Sequence, residues 1–137
     1  QGMFVTLVLG ILDHSARQFT YGNAGHNPPL HYRGATGEIV PLSPTGMALG
    51  VDEDEVYSQA TVTIDPGDVV VFYTDGVVEA ENAVHGQFGE DRLVAVIREF
   101  HHLSAKGLLE KIQEGIEEFI AGAPQYDDLT ILVLKAV

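Results

Sequence analysis

Cysteine is absent from the chain, which excludes disulfides, thiolate zinc sites and thiol catalysis and is compatible with a cytoplasmic protein. Basic residues are scarce: Lys plus Arg number 7 against 20 Asp plus Glu, a formal net charge of −13. Nucleic acids and anionic membranes both select basic patches, so neither is the expected partner, and a cation is the natural counterpart. No apolar run reaches the roughly twenty residues that a spanning helix needs. The longest, residues 3–12 in QGMFVTLVLGILD, also lacks the basic flank and cleavage site of a signal peptide, so no membrane insertion is expected and the segment reads as a buried strand. Internal repeats, low-complexity tracts and interdomain linkers are missing too.

What is present suits one globular unit. The chain has 137 residues, 45% of them hydrophobic, enough for a single domain with a real core and too few for two. Starting on Gln1 where a natural chain would have Met, it reads as a piece of a longer polypeptide. Up to about residue 75 the pattern is strand-like. The 3–12 run is followed, after the turn DHS, by ARQFTYGN. PLHYRGATGEIVPL reads as a hairpin with GATG as its loop. PTGMALGVDEDE, rich in glycine and acids, reads as a surface loop. In VYSQATVTID, Val56, Ser58, Ala60, Val62 and Ile64 alternate on one face, and DPGD turns the chain into the apolar run 69–73.

The period then changes. Leu93, Val96, Ile97 and Phe100 make the stripe of an amphipathic helix over about 90–101, and Leu108, Leu109, Ile112, Ile116, Phe119 and Ile120 that of another over about 104–121, with Ser104 as N-cap and GAP as terminator. A strand over 129–135 closes the chain. Antiparallel strands, then paired helices, then a last strand describe an α+β sandwich with helices stacked on a sheet.

Acids stand at the mouths of two buried runs. VVVFYTDG leads through Tyr73 and Thr74 into Asp75 and Gly76, and QYDDL places Asp127 and Asp128 ahead of LTILVLKAV. If these strands are antiparallel neighbours, Asp75 and Asp127 reach the same rim of the sheet. Carboxylates gathered in a partly dry setting repel unless a cation lies between them or one is protonated, and oxygen ligands without Cys or paired His point to Mg²⁺ or Mn²⁺. Asp beside Gly also starts tight turns, and Asp caps strands, so the residues alone leave both readings open.

FVTLVLGILD, YGNAGHNPPL, PTGMALGV, VVVFYTDGVVEAEN, GQFGEDRL and YDDLTILVLK, in this order and spacing, resemble the C-terminal two-thirds of a SpoIIE-like serine phosphatase domain, the bacterial branch of the metal-dependent, type 2C-like (PPM) phosphatases. The resemblance runs from residue 3 to 136. It implies an α-β-β-α sandwich whose N-terminal strands and helices are missing from this chain, so that residues 1–137 form a single, partial phosphatase domain. It further implies hydrolysis of phosphoserine or phosphothreonine in a regulatory protein, such as a STAS-domain anti-sigma factor antagonist, in bacterial signal transduction. Two Mn²⁺ or Mg²⁺ ions, roughly 4 Å apart, would activate the attacking water in the complete domain.

By motif position, Asp75 and Asp127 would be catalytic metal ligands. Asp128 would be a further metal-site residue acting from behind them, and Gly76, His26 and Asn23 would lie at the site's periphery. An upstream sensory domain and a homodimer are the partner arrangements the family suggests. One departure bears on all of this. The family's G-D-x-x-D-like and D-x-x-G-H-G segments should precede residue 1, so this chain carries half of a metal site, and Asp13 and the acids 52–55 match no motif that would replace them.

Each singled-out residue also has a structural reading. His26 can satisfy backbone groups in the Gly-His-Asn-Pro turn. His101 and His102 end a helix, where a cation suits the dipole. Glu79 and Glu81 read as loop acids, and Gly86 and Gly89 as a hinge around an anchoring Phe88. Two alternatives to an enzyme remain. One is a non-catalytic, partner-binding module of the same fold. The other is a cupin-like small-molecule-binding barrel, suggested by DPGDVVVFYTDG, although His14, His26, His31 and His85 never fall at the H-x-H-x-E spacing such a barrel uses.

Overall fold

A computed structural model describes residues 2–137. Its first strand, β1 (Leu7–Asp13), turns where the Asp13 carboxylate accepts the Ala16 amide at 2.9 Å and Arg17 takes a positive φ. The chain returns antiparallel as β2 (Gln18–Ala24), and β5 (Ala60–Thr63) pairs with the other edge of β2. A four-stranded sheet holds β3 (Leu30–Tyr32), β4 (Ile39–Pro41), β6 (Val69–Tyr73) and β7 (Ile131–Lys135) in the order β4-β3-β6-β7, every pair antiparallel. Three helices, α1 (Asp75–Val78), α2 (Gly89–Phe100) and α3 (Ala105–Ile120), separate β6 from β7.

Strand β6 is central because it is apolar on both faces, as a run buried from both sides must be. Val69, Val71 and Tyr73 face the helices, where they meet Leu93, Ile97, Leu108, Ile112 and Ile116 in one core. Val70 and Phe72 point the other way, into a second core with Phe19, Tyr21, Leu42 and Ile64 between the two sheets. Full burial of each aliphatic side chain in the helix stripes contributes about 1.5–3 kcal/mol. The layers are therefore helix, four-stranded sheet and three-stranded sheet. Both helices fall where their periodicity predicts, and the Ser104 hydroxyl accepts the Gly107 amide at 3.0 Å as the expected N-cap.

Buried polarity supports the second sheet. Asp68 and His31, each 1% exposed, pair at 2.8 Å between Oδ2 and Nε2, and the Asp68 carboxylate also accepts the Gly34 and Asp65 amides at 2.9 and 3.1 Å.

Three expectations need correction. β1 is not buried: Leu9 and Ile11 are 68% and 72% exposed, because β1 pairs only with β2 and nothing among the described residues covers their side of it. Val56 is 83% exposed, and the strand begins at Ala60, so the alternation that reaches the inter-sheet core is Ala60, Val62 and Ile64 alone. The positive charge at the end of α2 is not supplied by His101, whose imidazole stacks on Tyr32 with ring centroids 4.5 Å apart and whose pKa burial holds down, with His102 and Lys135 adding to the effect. Lys135, from β7, donates its ammonium to the His101 and Leu103 carbonyls instead.

Candidate functional site

The antiparallel pairing of β6 with β7 runs from Val69–Lys135 to Tyr73–Ile131. The end of β6 therefore emerges beside the start of β7. Thr74 extends the ladder by donating its amide to the Thr130 carbonyl at 3.2 Å. It is also the N-cap residue of α1, yet its hydroxyl makes no cap bond. The hydroxyl turns across the strands, accepting the Thr130 amide at 3.2 Å and donating to the Asp128 carbonyl at 3.4 Å. Asp75 opens α1 directly beyond this clamp. The tight turn left open as one reading of Asp75–Gly76 takes the form of this short helix.

Gly76 explains how closely the two segments approach. It is buried, and a β-carbon there would lie inside contact distance of the Asp128 carbonyl oxygen and 2.9 Å from its carbonyl carbon. Only a residue without a side chain lets the α1 backbone lie against Asp127 and Asp128. All three acids, Asp75, Asp127 and Asp128, then line one cavity of about 220 Å³, together with His26, Asn27, Thr74 and Thr130. Asp127 accepts the Asp128 backbone amide on Oδ1 at 2.8 Å, and the Gln125 side chain donates Nε2 to the Asp127 carbonyl at 2.9 Å. A cleft of about 170 Å³, reached by Glu79, Glu81 and Gln125, opens on the other side of Asp127. The pKa of neighbouring Tyr73 is pushed up to about 12, mainly by burial and then by the charges of Glu90 and Asp75.

The wall opposite the acids is the segment Asn23–Asn27. Asn23 is fully buried and is not on the cavity surface. Its Oδ1 accepts the His26 amide at 2.8 Å, and its Nδ2 donates to the His26 and Leu42 carbonyls at 3.1 and 3.2 Å. His26 does line the cavity, but its Nδ1 bonds the Asn27 carbonyl at 3.0 Å, the backbone-satisfying role. Asn27, not singled out from the sequence, donates Nδ2 to Asp75 Oδ1 at 2.6 Å. It lay inside the NAGHNPP block, and its polar side chain just ahead of two prolines was the available signal.

Donors at this mouth are carboxylate oxygens, a set that suits hard divalent cations. The set is partial: among the described residues no group of three or more His, Cys, Asp or Glu side chains is arranged to hold a metal ion. The acids of the 52–55 loop are engaged locally, Glu55 accepting the Met47 and Val56 amides and Asp52 that of Asp54. No helix among the described residues is long and apolar enough to cross a membrane.

Comparison with known proteins gives the site its context. The chain is 33% identical over 133 residues to protein IcfG of Synechocystis sp., a match covering 96% of this chain and 20% of that protein. It is 29% identical over 133 residues to the phosphoserine phosphatase RsbU of Bacillus subtilis, covering 97% of this chain and 39% of that one. The chain thus spans less than half the length of these curated relatives. Among solved structures, the SiaA-PP2C domain of Pseudomonas aeruginosa superposes with a TM-score of 0.80 at 25% identity, over 93% of this chain and 50% of that one. The layered sheets are therefore about half of a PP2C fold. Residues 1–137 match throughout the family described as Stage II sporulation protein E (SpoIIE), and the chain belongs to that family.

Proposed function

We propose that this chain is one part of the catalytic domain of a metal-dependent protein serine/threonine phosphatase, contributing Asp75 and Asp127 as metal ligands with Asp128 behind them. One observation carries the reading: the β6–β7 register brings acids from two distant segments to a single cavity. When bound, a pair of Mn²⁺ or Mg²⁺ ions supplies charge for the phosphoryl oxygens and lowers the pKa of the attacking water. The chain's own residues hold and orient. Thr74 fixes the spacing of the two acidic segments, Gly76 lets them touch, and the Asn23–Asn27 turn closes the far wall.

The remaining carboxylates come from polypeptide outside residues 1–137. The exposed apolar face of β1 supports this, since Leu9 and Ile11 are the type of surface that a folded domain covers. The substrate is a phosphorylated regulatory protein, such as a STAS-domain antagonist of an anti-sigma factor, in a cytoplasmic pathway with a sensory domain upstream and a homodimeric assembly.

The test is hydrolysis of para-nitrophenyl phosphate with Mn²⁺ by this chain and by a version extended upstream. The chain alone should be nearly inactive and the extended protein active, with Asp75→Asn abolishing the activity. An inactive extended protein that still binds its partners would favour the non-catalytic module, and activity that survives Asp75→Asn would remove the site from the chemistry.

A further inference from the structure

The contact between Asn27 and Asp75 joins residues 48 positions apart, and everything behind Asn27 is built to aim it. Asn27 precedes Pro28, and a residue before proline is restricted to extended backbone because the ring clashes with other conformations. One step back, the buried Asn23 amide closes the 23–26 turn from both sides. Gly25, at φ 65°, is pressed against the 45–48 loop, where a β-carbon would stand 2.7 Å from the Ala48 amide nitrogen. That loop is laced to the turn by three bonds, Asn23 amide to Thr45 Oγ1 at 3.0 Å, Thr45 amide to the Asn23 carbonyl at 2.8 Å, and Gly25 amide to the Gly46 carbonyl at 3.1 Å. A side chain held by this much fixed backbone has little freedom left to lose on bonding Asp75.

We infer that Asn27 is a positioning residue for Asp75: its amide holds Oδ1, fixing the carboxylate plane and leaving Oδ2 as the oxygen that would be free to ligate a cation. The inference rests on the metal reading above and adds a residue to it. Asp75 is exposed and has no other side-chain partner among the described residues, so without Asn27 its carboxylate would rotate freely about χ2, a broad torsion with no intrinsic preference strong enough to fix it. A ligand that must be ordered on binding holds its ion less tightly than one already aligned. Groups that orient a ligand in this way typically change metal affinity or activity by about 10–100-fold when removed.

The experiment is a Mn²⁺ titration, followed by NMR, of the protein extended upstream to include the missing acidic segments, comparing the wild type with Asn27→Ala. Paramagnetic broadening in the wild type should centre on the amides around Asp75 and Asp127, and Asn27→Ala should bind Mn²⁺ about 10-fold more weakly. A second measurement needs no Asn27 variant. The Asn27 side-chain amide protons of the wild type should resonate downfield of the other asparagine amides and move upfield in Asp75→Asn. Unchanged Mn²⁺ affinity in Asn27→Ala, or an Asn27 amide indifferent to Asp75→Asn, overturns the positioning role while leaving the metal reading standing. Absence of broadening around Asp75 and Asp127 in the wild type overturns the metal reading itself, and the inference with it.

Discussion

Replacing Gly76 by Ala isolates the close approach on which the acidic mouth depends. Its φ is ordinary, so the added methyl meets no backbone strain, and in the first turn of α1 the change should gain up to about 1 kcal/mol of helix propensity. Opposing this, the methyl would overlap the Asp128 carbonyl group, and Asp127's carbonyl carbon is 3.5 Å away. These are backbone atoms, tied to the Thr74 hydroxyl through the Asp128 carbonyl and the Thr130 amide, so they cannot swing aside as a flexible side chain would. Overpacking of this kind costs about 1–3 kcal/mol, leaving, after the propensity gain of up to about 1 kcal/mol, a net destabilisation of about 0–2 kcal/mol. The larger effect is on geometry. Relief of the overlap separates Asp75 from Asp127 by on the order of 1 Å, and a misplacement of that size can lower a catalysed rate by about 100-fold.

The assays are urea denaturation of this chain and Mn²⁺-dependent phosphate hydrolysis by an upstream-extended protein. Gly89→Ala is the control. There φ is +79° and nothing lies within 4 Å of an added β-carbon, so the variant should lose about 1–2 kcal/mol through its left-handed backbone and keep full activity. A Gly76→Ala protein as active and as tightly metal-binding as the wild type would refute the claim that this contact sets the spacing of the acids.

In the extended protein, Asp127→Asn should raise the Mn²⁺ concentration for half-maximal activity by orders of magnitude, while Asp128→Asn, acting from behind the ligand, costs about 10–100-fold and is rescued by excess Mn²⁺; the reverse order would shift the ligand to Asp128. Asp68→Ala leaves His31 and two amides without their acceptor and should destabilise the chain by about 3–5 kcal/mol, a loss read directly from the urea midpoint. The pKa of His101 lies below its ordinary 6.5 when folded, chiefly through burial, so the folded chain binds fewer protons there than the unfolded one. The stability from His101 is complete above about pH 6.5 and declines as pH falls from that value toward the folded pKa. His101→Phe, keeping a ring against Tyr32, should therefore show a smaller fall in urea midpoint between about pH 7.5 and about pH 5.5, whereas an identical fall in both proteins would place the sensitivity elsewhere.

Local pattern explains which parts of the molecule were legible from residues alone. The stripes Leu93, Ile97 and Leu108, Ile112, Ile116 recur at helical spacing and are all buried, because a helix that covers a sheet must present one apolar face. Ser104 capped its helix for an equally local reason. The apolar run 69–73 read as a buried strand and is one, since both its faces meet a core. The same logic misjudged residues 3–12. Hydrophobicity records what a segment is able to bury, and burial itself depends on what lies against it, which for β1 is one strand at its edge.

The amino-acid sequence by itself determined the order and type of the elements apart from the short helix α1, the Ser104 cap of α3, the acidic character and the motif blocks that mark the family. These follow from interactions spanning a few residues, so they are written in periodicity and neighbouring residue types. The tertiary structure decided which of those residues meet. It set the β6–β7 register that brings Asp127 and Asp128 beside Asp75, the Asn27 amide on Asp75 and the Lys135 ammonium at the end of α2, 34 residues away. Contacts at such separations depend on sheet register and on a glycine's lack of a side chain at one crossing. No local pattern encodes where two distant backbones pass within contact distance.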